Sequence, residues 1–181
     1  AKRLFDDEHK ARELFEILAP YDWIYLSGIT LALYGESALR RFIGLLTEYR
    51  DNGGKIVFDG NYRPRLWQSA VAAQDAFQAL YRLSAIALPT LDDELMLFRD
   101  ADSEAVVRRL RSWGVEETAL KMGAQGCLVV TSAHMESVPA RNVNVVDTTA
   151  AGDSFNAGYL AARMQGRLPS QAAEAGHNLA S

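Results

Sequence analysis

Apolar positions along the chain change period repeatedly, and each change marks an element. Across residues 6–18, Leu14, Phe15 and Leu18 recur at helical spacing among charges, and Pro20 closes the segment. Residues 23–26 form a short apolar run ended by Ser27 and Gly28, the pattern of a strand. Leu39, Phe42, Ile43, Leu46 and Tyr49 share one face of a helix over residues 36–50, which Asn52, Gly53 and Gly54 stop. A strand follows at 55–59, then a loop to Leu66, then an alanine-rich helix over 68–83. Residues 85–88 read as a strand ended by Pro89, and helices are expected over 91–98 and 103–113. Strands at 117–122 and 127–131 are joined through Gly123, Ala124, Gln125 and Gly126, and residues 136–139 read as an edge strand. A β-branched run at 143–146 reads as one more buried strand. It feeds an alanine-rich segment reaching Met164, with Phe155, Tyr159 and Ala162 at helical spacing. A last helix starts at Pro169 and runs beyond Leu179.

Strands and helices alternating in this way predict right-handed crossovers and a mainly parallel sheet covered on both faces. The expected fold is therefore α/β, three layers deep, as a single domain over residues 1–181, with no repeat, linker or low-complexity segment. In such sheets ligands lie beyond the carboxyl ends of the strands, so the residues just after each strand are the candidates for function. Composition narrows the classes. About half of the 181 residues are apolar and 23% are charged, an ordinary globular balance. The net charge of −4, with no block of like charge, argues against a nucleic-acid partner. A single cysteine, Cys127, excludes an internal disulfide; it lies in an apolar run and fits strand core in a reducing cytoplasm. No apolar run approaches membrane-spanning length, so no membrane partner is expected. No signal peptide is expected either, since Ala1 opens directly into a charged helix pattern.

The stretch from Asp147 to Leu160 concentrates the chemistry. A strand, a turn of small residues and a helix start converge several backbone N–H groups on one point, with the positive end of the helix dipole behind them. Such a point holds an anion, most simply a phosphate. Asp153, in the same first turn, is poorly suited to bind that anion. It is well placed to accept a proton from a hydroxyl that attacks it. The plainer reading makes Asp153 an ordinary helix-start residue that complements the dipole. After the strand at 55–59, the Arg63 guanidinium can clamp a carboxylate or phosphate at two points; the alternative is a solvated turn, with Pro64 punctuating it and Trp67 capping the core. Thr90 is a good N-cap, followed by Asp92, Asp93 and Glu94 in the first turn. The stretch from Lys121 to Cys127 reads as a glycine hairpin and lacks the Gly-Lys-Ser/Thr ending of a Walker A loop, so this is not a P-loop protein. His177 on the last helix reads as a surface residue, and His9 and His134 have no convincing partner. No zinc-ligand cluster and no Gly-x-Ser-x-Gly elbow is present.

Asp147-Thr148, Ala150-Ala151-Gly152-Asp153-Ser154-Phe155 and Ala157-Gly158-Tyr159-Leu160 together resemble the C-terminal signature of the PfkB, or ribokinase-like, carbohydrate kinases. That family usually has Gly where Ala150 stands. The Ala-Ala-Gly-Asp wording, and Asn61-Tyr62-Arg63-Pro64-Arg65-Leu66-Trp67, look like the branch that acts on the sugar acid 2-keto-3-deoxygluconate. The resemblance implies a ribokinase-like αβα fold and an ATP- and magnesium-dependent kinase that forms the 6-phosphate of that acid. It makes Asp153 the catalytic base and Ala150, Ala151 and Gly152 the anion hole. It places Arg63 on the substrate, and Asn61, Tyr62 and Arg63 along both nucleotide and sugar acid. Thr90 and Asp93 stand where the family carries an Asn-x-x-Glu pattern that influences magnesium and phosphate. That departure leaves no residue as a direct metal ligand. Lys121, Gly123, Ala124, Gln125 and Gly126 are implied to line the nucleotide pocket, with His177 beside the adenine. The family begins with further strands and a small β-lid that nothing here matches. The chain is thus expected to be part of a longer protein, which forms a homo-oligomer when complete. The alternatives are another ribokinase-like kinase, for a fructose or nucleoside acceptor, or a non-catalytic nucleotide-binding module.

Overall fold

The computed structural model describes residues 7–140 and 150–181. Six strands form one sheet: β1 (Trp23–Ser27), β2 (Lys55–Asp59), β3 (Ile86–Ala87), β4 (Glu117–Lys121), β5 (Cys127–Val130) and β6 (Met135–Val138). They lie side by side in chain order; β1 to β4 are parallel, and β5 and β6 turn back antiparallel. The helices are α1 (Glu8–Leu18), α2 (Gly28–Ala32), α3 (Glu36–Asp51), α4 (Ala70–Leu83), α5 (Leu91–Phe98), α6 (Ser103–Ser112), α7 (Ala151–Met164) and α8 (Pro169–Leu179).

Alternation along the strands builds two cores. Ile56, Phe58 and Leu120 point to one face and pack with Phe42 and Leu46 of α3, Phe77 and Leu80 of α4, and Val106 and Leu110 of α6. Val57, Ala119 and Val129 point to the other face and pack with Phe155 and Tyr159 of α7 and Ala172 and Ala173 of α8. The three expected layers follow from this division. Helix starts are set by local side chains. Asp7 accepts the N–H groups of His9 and Lys10, Ser69 that of Ala72 at 3.1 Å, and Asp102 that of Ala105 at 2.8 Å. The cap at Ser69 is why α4 begins at Ala70, later than the alanine pattern suggests.

Several boundaries differ from the expectation for identifiable reasons. The strand at 85–88 contracts to Ile86–Ala87, because the chain reaches Pro89, which has no N–H for the ladder. Leu88 still donates to Phe58 O at 2.9 Å. Trp113 forms the C-cap of α6 rather than its last residue, and the final helix ends at Leu179 instead of running on. Helix α2 was not expected. Ser27 starts it by accepting the Ile29 N–H, and Gly28 permits it: a Cβ on Gly28 would stand 1.9 Å from Gly60 O. The chain leaving β1 therefore touches the chain leaving β2, and both come to one place. The strand at 136–139 is found as Met135–Val138 at the sheet edge. The strand expected at 143–146, and Asp147 and Thr148 after it, lie outside the described residues. Among the described residues no helix is long and apolar enough to cross a membrane.

A paired comparison of two positive-φ glycines tests this packing. Gly114 has φ +88 and open space where a Cβ would be, whereas at Gly126, with φ +94, a Cβ would lie 2.2 Å from Val138 O. Gly114→Ala is expected to cost about 1–2 kcal/mol, the ordinary left-handed penalty. Gly126→Ala should cost more than about 3 kcal/mol, because backbone must move as well. Denaturant midpoints at unchanged slope measure the difference; equal losses would mean that β6 does not abut the turn.

Candidate active site

Helix α7 is held against β4 at two levels. Near its far end, Tyr159 OH and Arg163 Nε each donate to Glu117 Oε1 at 2.8 Å, and Arg163 Nη2 donates to Glu117 Oε2 at 2.8 Å. Near its start, Asn156 Oδ1 accepts from Lys121 Nζ at 3.0 Å. Glu117 opens β4 and Lys121 closes it, so α7 runs back along the strand. Its N-terminus therefore lies at the carboxyl ends of the parallel strands, the ligand side of such a sheet.

A buried polar cluster occupies that end. Lys121 Nζ donates to Asp59 Oδ1 at 3.1 Å; Asn156 Nδ2 donates to Asp59 Oδ2 at 2.9 Å and to Tyr25 OH at 3.1 Å; Tyr25 OH reaches Asp59 Oδ2 at 3.2 Å. Asp59 and Asn156 are each 2% exposed and Lys121 is 9% exposed. Charges removed this far from water persist only when paired and hydrogen-bonded, and each carboxylate oxygen of Asp59 has a donor. Burial pushes the Tyr25 hydroxyl well above its ordinary range; the charges of Asp59 and, more weakly, Asp153 push the same way.

The first turn of α7 is open by comparison. Ala150 stands at the N-cap in the left-handed region, with φ 62 and ψ 8, and its carbonyl accepts the Ser154 N–H at 2.8 Å. No side chain caps the helix, and among the described residues none accepts from the N–H groups of Ala151, Gly152 and Asp153. Gly152 and Asp153 are exposed. Among the described residues a Cβ on Gly152 would meet only Lys121 Nζ, at 3.9 Å. A helix N-terminus, a lysine ammonium and an exposed carboxylate thus share one surface, which suits an anion being attacked by a hydroxyl.

The loop after β2 borders this surface. Asn61 has φ 41, and Asp93 Oδ2 accepts the Tyr62 N–H at 3.2 Å while lying 3.7 Å from Arg63 Nη1. Arg63 also donates to Tyr62 O at 3.0 Å, and its side chain remains half exposed. Burial raises the Asp93 carboxyl above its ordinary range; Arg63 and the Tyr62 N–H pull it back, and Asp59 and Lys121 are near enough to act on it too. The Tyr62 ring is in the core, edge-on to Phe77 at 6.0 Å, so the outward-facing parts here are Asn61 and Arg63. Trp67 packs on Phe77 at 5.8 Å, as a residue capping the core should.

Three local readings change. Thr90 occupies the N-cap of α5 but makes no side-chain capping bond; its backbone instead bridges Lys121, continuing the sheet by one residue. His177 is not a surface residue: it is half-buried, edge-on to Phe155 at 5.1 Å, with Nε2 3.3 Å from Val138 O. His9 has a partner, Glu13 at 3.4 Å, although both are exposed. The hairpin through Gly123, Ala124, Gln125 and Gly126 is a single 3₁₀ turn with Met122 N donating to Gly126 O at 2.8 Å, and its first three residues are exposed. Among the described residues no hydrogen bond joins this hairpin or His177 to the Lys121 cluster. Tyr25, Asp59 and Asn156 were not singled out from the sequence. The available signal was an acidic residue closing an apolar strand, and an amide on the buried face of α7.

The family model described as pfkB family carbohydrate kinase matches residues 2–181. The chain belongs to that family. The 2-dehydro-3-deoxygluconokinase of Escherichia coli K12 is 42% identical over an alignment of 185 residues that takes in 100% of this chain and 60% of that protein. The chain thus spans less than two thirds of that relative. Among solved structures, a putative ribokinase II of E. coli in complex with ATP and Mg2+ superposes with a TM-score of 0.79 at 25% identity, covering 92% of this chain and 53% of the other. Aminoimidazole riboside kinase of Salmonella enterica, complexed with aminoimidazole riboside and an ATP analogue, gives 0.76 at 27% identity over 87% of this chain and 54% of the other. These neighbours share the ribokinase-like arrangement described above.

Burial lowers the His177 imidazole below its ordinary value of 6.5, although the Val138 carbonyl opposes the shift. The unfolded chain therefore takes up this proton first as pH falls, and the folded state loses stability from about pH 7 downward. His177→Gln should flatten that part of the stability–pH curve between about pH 7 and 5, read from denaturant midpoints at each pH. An unchanged slope would mean that the ring is as freely protonated folded as unfolded.

Proposed function

We propose that the full-length protein is an ATP-dependent sugar-acid kinase that phosphorylates 2-keto-3-deoxygluconate on its sixth carbon. The observation that carries this reading is the exposed Asp153 carboxylate in the open first turn of α7, beside the Lys121 ammonium. Asp153 accepts the proton of the substrate's terminal hydroxyl. The oxygen attacks the γ-phosphorus of ATP, the bond to the β-phosphate oxygen breaks, and ADP leaves. The N–H groups of Ala150, Ala151 and Gly152, the anion hole of this reading, hold the oxygens of the group in transit.

Arg63 supports an acidic acceptor. It is half exposed, and its contacts with Tyr62 O at 3.0 Å and Asp93 at 3.7 Å are both made through Nη1, so in this reading its other N–H groups grip a carboxylate. Asn61 and Thr90, with the Lys121–Gly126 turn and His177, border the nucleotide in this reading. Magnesium, when bound, neutralises phosphate charge. In this reading the ion is carried by phosphates and water. The name of the E. coli relative supports the sugar-acid acceptor, and the ATP and ATP-analogue complexes of the two neighbours support the phosphoryl donor. A riboside-type acceptor is the second reading, favoured by the Salmonella neighbour, and a panel of acceptors separates the two. Assembly into a homo-oligomer and a cytoplasmic location belong to this proposal as well.

Two substitutions in the full-length protein test it. Asp153→Asn should lower kcat by about 10³-fold while leaving ATP affinity within about threefold, because general-base catalysis is removed and binding is not. Arg63→Ala should raise KM for the sugar acid about 10- to 100-fold, the worth of a charged hydrogen bond, and leave the ATP KM nearly unchanged. Undiminished turnover in the first would remove the base. An equal effect of the second on a neutral acceptor would remove the sugar acid.

A further inference from the structure

Asn156 holds together everything that meets at the head of α7, yet it touches nothing that reacts. It follows Asp153 by one helical turn and is 2% exposed. Both ends of its carboxamide are engaged. The oxygen accepts from Lys121 Nζ at 3.0 Å, and the nitrogen donates to Asp59 Oδ2 at 2.9 Å and Tyr25 OH at 3.1 Å. The amide orientation is therefore dictated: reversed, its NH₂ would face an ammonium and its oxygen a carboxylate. A leucine at this position could neither accept from the Lys121 ammonium nor donate to Asp59.

We infer that Asn156 is a positioning residue that fixes the Lys121 ammonium behind the open side of Gly152, where it adds positive charge to an anion on the first turn of α7; the inference rests on the kinase reading given above. The donor count agrees. An ammonium has three N–H donors, and among the described residues two are taken, by Asp59 and Asn156. An anion against Gly152 would engage a third. Both oxygens of Asp59 are occupied as well, Oδ1 by Lys121 and Oδ2 by Asn156 and Tyr25. The carboxylate is thereby held opposite the amine without drawing it away from Gly152. Without the amide, Lys121 has only Asp59 to follow, and a preorganised charge becomes a mobile one.

The test is kinetic, in the full-length protein, with Asn156→Leu, Asn156→Ser, Lys121→Met and the double variant Asn156→Leu/Lys121→Met. Each single variant should lower kcat by about 30-fold or more, with KM for acceptor and for ATP within about threefold, since the charge acts on the transition state. The double variant should be no slower than Lys121→Met alone, because both changes act through one ammonium. A merely structural amide would lower stability and active fraction without this split. If Asn156→Leu does not fold, Asn156→Ser, a smaller change, supplies the reading. A folded Asn156 variant with kcat within about twofold of the parent overturns the inference, as do single losses that multiply in the double variant. Asp153→Asn measured in parallel separates the two levels. An active Asp153→Asn defeats the kinase mechanism itself, whereas an inactive one beside fully active Asn156 variants defeats only the role given to Asn156.

Discussion

An ammonium taken out of water needs its counter-charge within a few ångströms, and this molecule is arranged around one such pair, Lys121 with Asp59. The two residues close β4 and β2, which are not neighbours; β3 lies between them. The chain of β3 runs on between them, with Leu88 N–H donating to Phe58 O and Lys121 N–H donating to Pro89 O, each at 2.9 Å, so the two side chains reach across it to meet.

The same pair orients the helix above it. α7 is tied to the far end of β4 through Glu117, Tyr159 and Arg163, and to the near end through Asn156 and Lys121. Two ties on one strand fix both the direction of the helix and its height. Its first turn therefore arrives at the carboxyl edge of the sheet with Gly152 and Asp153 exposed. Ala150 takes a left-handed conformation there, where glycine would be unstrained; for a residue with a Cβ this costs about 1–2 kcal/mol. The two ties lower in the helix hold the turn in that conformation.

Helix α5 performs a parallel task for the loop after β2. Two adjacent carboxylates in its first turn face opposite ways. Asp93 takes the Tyr62 N–H and lies near Arg63. Glu94 is fully buried, accepts from Tyr81 OH, and pairs with Arg109 at 2.8 Å. Arg109 is itself packed over the rings of Phe98 and Trp113. The inward carboxylate fixes the helix so that the outward one can restrain the loop. Arg63 is consequently presented from a rigid support although its own side chain is half exposed.

The periodicity of apolar residues determined much of this by itself. A period of two in the strands and 3.6 in the helices depends only on neighbours in sequence, so α3, α5 and β2 fall where the pattern places them. The glycine hairpin was legible for the same reason, because a positive φ demands glycine locally. The short helix α2 was not, since Gly28 is explained by a carbonyl 32 residues further on, at Gly60, and by the Phe77 ring. Nor was the pairing of Thr90 with Lys121 instead of with its own helix. The signature around Asp153 is contiguous, and a contiguous motif can be read without a fold. Tyr25, Asp59, Lys121 and Asn156 come from four separate elements, and in sequence each passes for an ordinary strand or helix residue. Only the folded chain brings them within 3.2 Å of one another, because which buried polar groups share a bond depends on strand order and helix direction, which local spacing does not encode.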